Sequence, residues 1–283
     1  MNKILMCVWV SLWVGCGSSR ADVNESEKKT QRQGKDSQAV NQAKNMVIDP
    51  KSGLKFISIP AGTFNMGSNK GRFTEKPIHQ VEVKSFLISE TEVTVGQYRK
   101  CVEAGRCTEP KACNWSSSPS DKEDHPINCV DWGQARTFAV WVGGDLPTEA
   151  QWEYAARGGE KFTYAGSNDV DEVTWYKANA SSTKAVKTKK ANGYGLYDMS
   201  GNVWEWTLDK WHKNYRGAPN QAEQPWGNVS KCVQQCDNGS SWRAYRGGGW
   251  AGTDRFVRLA VRAGGLTKRR IIGLGFRVRR TLP

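Results

Sequence analysis

From residue 160 to about residue 242 the chain has almost no periodic apolar pattern and is rich in Gly, Asn, Ser and Trp. An amphipathic helix needs apolar residues every three or four positions, and a half-buried strand needs strict alternation. A segment with neither must be built from long ordered loops, with aromatic side chains clamping turns that Gly and Asn permit. The segments on either side are more regular. Phe56-Ile57-Ser58-Ile59 runs through Pro60-Ala61-Gly62 into Thr63-Phe64-Asn65-Met66 with strand-like alternation, and Val81 to Ile88 reads as a further strand. Thr94 with Gln97, Asp131 with Gln134 and Thr148 with Gln151 each place a capping residue three before Gln, which predicts three helix starts. Gly143-Gly144 and Gly158-Gly159 would end the second and third helices. Trp141 and Trp152, on these helices, are expected to face the core. Strands return at Trp242–Arg246, Phe256–Arg262 and Gly275–Arg279. Few helices, short strands and much loop make an α+β domain with irregular packing. No fixed-period repeat and no internal linker occur, so residues 46–283 read as one domain.

The N-terminus reads as an address. Lys3 precedes an apolar run from Ile4 to Gly15, twelve residues long and too short to span a bilayer. It ends Leu12-Trp13-Val14-Gly15-Cys16, which resembles a bacterial lipoprotein box, with Trp13 standing where that pattern prefers Leu. The resemblance implies a signal peptide over 1–15 and a lipid on the thiol of Cys16; a plain secretory signal is the alternative. Gly17 follows the cysteine where inner-membrane retention would want Asp, so the implied place is the cell envelope, at the outer membrane. Residues 17–45 lack aromatics and nearly all apolar side chains, and read as a solvated tether.

Export changes what the cysteines mean. With Cys7 in the signal and Cys16 lipidated, six of the eight remain: Cys101, Cys107, Cys113, Cys129, Cys232 and Cys236. An even number in an oxidising compartment favours three disulfides. Cys232 and Cys236 are close enough to pair, and the connectivity of the other four stays open. A zinc site is disfavoured because no C-x-x-C pair exists.

The mean hydropathy of −0.65 excludes a multi-span membrane protein, and 38% apolar residues is too many for wholesale disorder. The net charge of +13 is unevenly placed. From Arg243 onward stand eleven basic residues and one acid, Asp254, so the last 41 residues carry most of the surplus. Nucleic acid is not an expected partner, since the compartment is wrong and no nucleic-acid module occurs.

Eight motifs then occur in a recognisable order. Ile59-Pro60-Ala61-Gly62-Thr63-Phe64-Asn65-Met66-Gly67-Ser68, Glu75-Lys76-Pro77, Glu92-Val93-Thr94 and Leu146-Pro147-Thr148-Glu149-Ala150-Gln151-Trp152-Glu153 come first. Tyr194-Gly195-Leu196-Tyr197-Asp198-Met199, Gly201-Asn202-Val203-Trp204-Glu205-Trp206, Arg246-Gly247-Gly248-Gly249-Trp250 and Gly275-Phe276-Arg277 follow. Together they resemble the formylglycine-generating enzyme (sulfatase-modifying factor) domain over roughly residues 50–280. The resemblance implies a variant of the C-type lectin fold.

Catalytic members of that family oxidise a substrate cysteine with copper(I) on two cysteines, two and seven residues after the Trp of Arg-Gly-Gly-x-Trp. Those positions are Gly252 and Val257 here, and no cysteine lies beyond Cys236. Copper is therefore not expected, and the reading leans against an enzyme. The resemblance also implies calcium held by Asp198 and Glu205 with the carbonyls of Gly201 and Val203, and by Glu92 from the first half of the domain. A second family calcium site would begin at Asn179-Ala180, but residues 181–190 supply no Asp. An iron triad is disfavoured, since its three histidines come from an additional helical domain in the family's iron enzymes and the histidines here are His79, His125 and His212 alone. Arg246, Arg262 and Arg277 coincide with family positions and are expected to hold loops. Arg255, Arg258, Lys268, Arg269, Arg270, Arg279 and Arg280 are this chain's own surplus.

Three functions fit. The leading one is a non-catalytic envelope lipoprotein whose groove, near Trp250, Asp254 and Arg255, binds a peptide, protein or glycan. The second is a modification enzyme with an atypical site. The third is a structural envelope protein touching polyanions through its basic C-terminal face.

Overall fold

The computed structural model describes residues 46–110, 122–227, 229 and 240–282. Residues 46–283 form one compact unit. Its strands are β1 (Met46–Ile48), β2 (Lys55–Ile59), β3 (Gly62–Met66), β4 (His79–Val83), β5 (Phe86–Ser89), β6 (Trp204–Lys210), β7 (Trp242–Arg246), β8 (Arg262–Leu266), β9 (Leu274–Gly275) and β10 (Arg279–Thr281). They make two four-stranded sheets, in the orders β1-β2-β5-β10 and β8-β7-β6-β9, and a separate β3-β4 hairpin. Between residues 160 and 203 the only regular element is one short helix, as the sequence requires.

The three capping boxes all form. Thr94 opens α1 (Val95–Glu103), Asp131 opens α2 (Trp132–Trp141) and Thr148 opens α3 (Glu149–Arg157), each with reciprocal bonds to its Gln. Gly158 closes α3 at φ 61°, a left-handed cap that side chains resist. The short α4 is Val170–Val173. Trp152 is fully buried in a cluster with Ile59, Met66, Ile88 and Leu196, and Trp141 packs half-buried against a second cluster around Tyr98, Phe138, Trp206 and Phe276.

Three strand expectations are corrected. The run from Val81 to Ile88 is two strands in different sheets, because the Lys84 N–H leaves the ladder for the Glu223 carboxylate at 2.5 Å. Phe256–Arg262 is mostly turn: Val257 and Val261 donate locally to Asp254 and Arg258, and only Arg262 enters a strand. Gly275–Arg279 passes from one sheet to the other, with Phe276 and Val278 bonding Val93 and Ser89 on the way. The central strand β6, inside the Gly-Asn-Val-Trp-Glu motif, was not anticipated as a strand.

Cys101 is disulfide-bonded to Cys107, and Cys129 is disulfide-bonded as well. Cys16, Cys113, Cys232 and Cys236 lie outside the described residues. Among the described residues no helix is long and apolar enough to cross a membrane.

Candidate functional site

A turn of unusual backbone builds the first cluster. Asp198, Gly201 and Asn202 have φ of 56°, 84° and 55°, so the turn after Tyr197 is largely left-handed before β6 begins. Gly201 has no alternative, since a Cβ there would collide with the Trp175 carbonyl. Strain of this kind costs roughly 1–3 kcal/mol per residue and survives only where its surroundings hold it. Here Asn202 is the holding residue. Its amide donates to Glu92 Oε2 at 2.9 Å and its oxygen accepts from the Lys184 N–H, while its backbone bonds Trp175 and Trp250. Asn202 carried no role in the sequence reading; its place between two predicted ligands was the available signal.

The turn brings Glu92, Asp198 and Glu205 together, all buried, around Arg277. Arg277 forks onto Glu205 at 2.7 and 2.8 Å and donates to the carbonyls of Ser89 and Tyr197. Glu205 also accepts the indole N–H of Trp152 at 2.7 Å. Glu92 accepts from the Val203 N–H and Asp198 from the Lys187 N–H. Burial, with the charges of Asp198 and Glu205, holds the Glu92 carboxyl well above its ordinary range. Burial likewise pushes Asp198 up to about 6, against the pull of the Lys187 N–H and Arg277.

Three acids thus face one guanidinium, and the interior meets the imbalance by favouring the protonated forms of Glu92 and Asp198. A divalent cation would remove it. Among the described residues no three His, Cys, Asp or Glu side chains by themselves converge as a metal site. The fit therefore depends on the carbonyls of Gly201 and Val203 adding to Asp198, whose Oδ1 accepts no hydrogen bond from a described residue. Asn179 is spent locally, accepting from Tyr176 and donating to Asp171 and Thr174.

The positions assigned to the copper cysteines differ in character. Val257 is fully buried among Tyr164, Val173 and Tyr176. Gly252 is half-buried and bonds Gly249 and Lys177 through its backbone. Gly248, at φ 77°, lies so close to Val257 that an added Cβ would meet its backbone at 2.9 Å. Asp254 and Arg255 are exposed. Burial raises the phenol of Tyr164, the Asp254 charge adds to this, and Arg258 opposes it. Trp250 does not join them through any polar contact: its backbone N–H goes to Asn202 and its indole to Ile272.

Two of the arginines at family positions tie loops to α3, Arg246 donating to the Leu259 carbonyl and Arg262 to those of Thr74 and His212. Arg246 and Arg262 are buried, bonded to Glu153 at 2.5 Å and to Glu149 respectively. The surplus cations are less free than the sequence suggested. Arg258 forks onto buried Glu75 at 2.8 and 3.1 Å, Arg270 pairs with Asp131, and Arg280 pairs with Asp49. Arg255, Lys268 and Arg269 remain exposed without an ion pair among the described residues.

Beside Arg262 lies a titratable acid. Asp209 is buried, accepting from the N–H groups of Glu149 and Trp226, and burial with the Glu149 charge pushes it up to about 7 despite Arg262. Between its unfolded value near 3.8 and about 7 the folded state binds a proton that the unfolded state does not. Asp209 therefore favours folding fully below about pH 4, and that contribution is lost as pH rises through 7. Urea unfolding from pH 4 to 8 is expected to show this falling component in the native chain and not in Asp209→Asn. An unchanged difference between the two across that range would contradict it.

The family profile described as the sulfatase-modifying factor enzyme 1-like domain (FGE-sulfatase) matches residues 42–282. The chain is 29% identical over 226 residues to the formylglycine-generating enzyme of Thermomonospora curvata, covering 59% of this chain and 75% of that protein. It is 30% identical over 227 residues to serine/threonine-protein kinase pkn1 of Chlamydia caviae, covering 74% of this chain but 35% of the kinase. It thus spans about a third of that relative's length. Among solved structures, PvdO from Pseudomonas aeruginosa superposes with a TM-score of 0.71 at 26% identity, covering 84% of this chain and 98% of that one. Treponema denticola variable protein 1 superposes at 0.68 with 24% identity and the same coverage, a likeness of fold.

Proposed function

The chain belongs to the sulfatase-modifying factor enzyme 1-like (FGE-sulfatase) family, and from that membership we propose a binding domain that performs no cysteine oxidation. The observation that carries this reading is Val257. At the second copper-cysteine position stands an apolar side chain sealed among Tyr164, Val173 and Tyr176, while the first position is Gly252. Neither residue offers a soft thiolate, which copper(I) needs. The binding face in this reading is centred on half-buried Trp250 and exposed Asp254 and Arg255, at the position where the family's site would lie. Opposite charges beside an indole suit a peptide, a protein segment or a glycan at the cell envelope.

In this reading the domain is tethered to the membrane by lipid on Cys16, with the outer membrane as its place. Cys16→Ala is expected to move the protein from the membrane to the soluble fraction. The domain itself is expected to leave a Cys-containing peptide unchanged when incubated with copper(I) and oxygen. Mass spectrometry that found an aldehyde in place of the thiol would end the proposal. Envelope extract passed over the immobilised domain supplies the positive arm, since ligand should be retained by the native groove and lost with Asp254→Lys and Arg255→Glu.

Calcium belongs to the same proposal as a structural ion. Asp198, the carbonyls of Gly201 and Val203, Glu205 and Glu92 would hold it, and when bound it would supply the positive charge this cluster lacks. Glu92 and Asn202 orient the turn, and Arg277 keeps Glu205 pointed inward. A ligand at 100 times its Kd stabilises by about 2.7 kcal/mol. Saturating calcium is expected to raise Tm reversibly with chelator, and the rise should shrink in Asp198→Ser. Indifference of Tm to both calcium and chelator would remove the ion.

A further inference from the structure

A cleft of about 410 Å3 opens away from the groove, between β2, the start of α1 and the loop through Lys187. Its volume lies within the range of small-ligand pockets, and none of Gly252, Trp250, Asp254, Arg255 or Val257 lines it. The lining is charged and divided. On one side stand Lys55 and Lys100, both exposed; among the described residues Lys100 donates only to the Ser52 carbonyl at 3.2 Å, and Lys55 makes no ion pair. On the other stand Glu123, which packs beside Gly96 and is paired with Arg99, and Asp124, exposed and without an ion pair among the described residues. Between them Lys187 reaches Glu90 at 2.6 Å, and these two neutralise each other.

Charge separation of this kind selects a ligand that carries both signs. Gly96 and Lys100 lie one turn apart on α1, about 6 Å along the axis. Two extended residues span about 7 Å between a free ammonium and a free carboxylate. A purely anionic ligand would meet Asp124, and a purely cationic one would meet Lys55 and Lys100, so each would leave one side of the cleft uncompensated. The wall is also strained. Lys187 is a non-glycine residue at φ 66°, held there by its N–H on Asp198 at 2.7 Å and its ammonium on Glu90. Such strain collects where function requires a fixed shape.

We propose that this cleft is a second ligand site, for a short peptide with both termini free, its carboxylate on Lys55 and Lys100 and its ammonium on Asp124. Calorimetric titration of the full chain tests it with three probes: Ala-Ala, N-acetyl-Ala-Ala and Ala-Ala amide. Saturable one-to-one binding of Ala-Ala is expected, weakened at least tenfold by capping either end. Lys55→Gln with Lys100→Gln should abolish the penalty for capping the carboxylate, and Asp124→Asn the penalty for capping the amine. All three positions are exposed, and unchanged Tm would verify that each variant folds. No saturable binding of Ala-Ala, equal binding of all three probes, or a capping penalty at one end alone would overturn the site. Because the groove residues take no part, Asp254→Lys should leave Ala-Ala binding unchanged.

Discussion

Replacing Arg277 with Met is expected to cost about 3–5 kcal/mol of unfolding free energy, a large share of what a domain of this size possesses. The reason is charge rather than packing. Arg277 is fully buried and makes four bonds, two to Glu205 and one each to the carbonyls of Ser89 and Tyr197. Without it, Glu92, Asp198 and Glu205 face one another with no cation, and three loops lose their common anchor. Glu205→Gln removes one of those charges, keeps an acceptor for the Trp152 indole and is expected to cost less. The double variant should then be less destabilised than the sum of the singles by about 1 kcal/mol or more, because the charge that made Arg277 necessary has gone. Urea unfolding of the four proteins completes the cycle. Should Arg277→Met fail to accumulate, Arg277→Lys, which keeps the charge and loses the fork, is expected to accumulate and unfold cooperatively, and its failure to do so would refute the argument.

The helix starts at Thr94, Asp131 and Thr148 were legible because a capping box is a three-residue device that needs no tertiary partner. That Arg246, Arg262 and Arg277 bond carboxylates and carbonyls followed from their motif positions, whereas their burial did not. What escaped was set by contacts distant in sequence. The break at Lys84 depends on Glu223, 139 residues later. The apolar spacing at Val257, Leu259 and Val261 does mark buried residues, but the backbone there turns so that Arg258 can reach Glu75, 183 residues away. Part of the basic surplus is paired for the same reason: composition counts charges and is blind to the carboxylates of Glu75, Asp131 and Asp49 that meet Arg258, Arg270 and Arg280. At the candidate site, the motif that joins Asp198 to Glu205 was visible, whereas the role of Asn202 became visible only through its bonds to Glu92 and Lys184. The cleft beside α1 left no sequence trace, since its lining comes from four separate segments.

Glu153→Gln is expected to cost about as much as Arg277→Met at pH 7, and its cost should depend on acid in a way that identifies the cause. Glu153 is fully buried on α3, accepting Arg246 at 2.5 Å, Arg157 at 2.6 Å and the Gly67 N–H at 3.0 Å. Burial alone would raise its carboxyl, but the charges of Arg246 and Arg157 outweigh that and hold it below the ordinary 4.5. A depressed folded value means that the stability from Glu153 is complete above the unfolded value and is lost as pH falls through the folded one. The gap between native protein and Glu153→Gln should therefore be constant from pH 8 to about 5 and close below about 4.5. Asp209, raised to about 7, has the opposite slope, so the two acids can be separated in one titration. Arg246 ties this network to the first, because its guanidinium lies 5.4 Å over the ring of Trp152, whose indole N–H is bound to Glu205. If that link carries energy, Glu153→Gln and Glu205→Gln will be non-additive by more than about 0.5 kcal/mol, and Trp152→Phe, which keeps a ring but loses the N–H, will abolish the excess. Strict additivity would mean that Trp152 merely fills the space between two independent ion pairs.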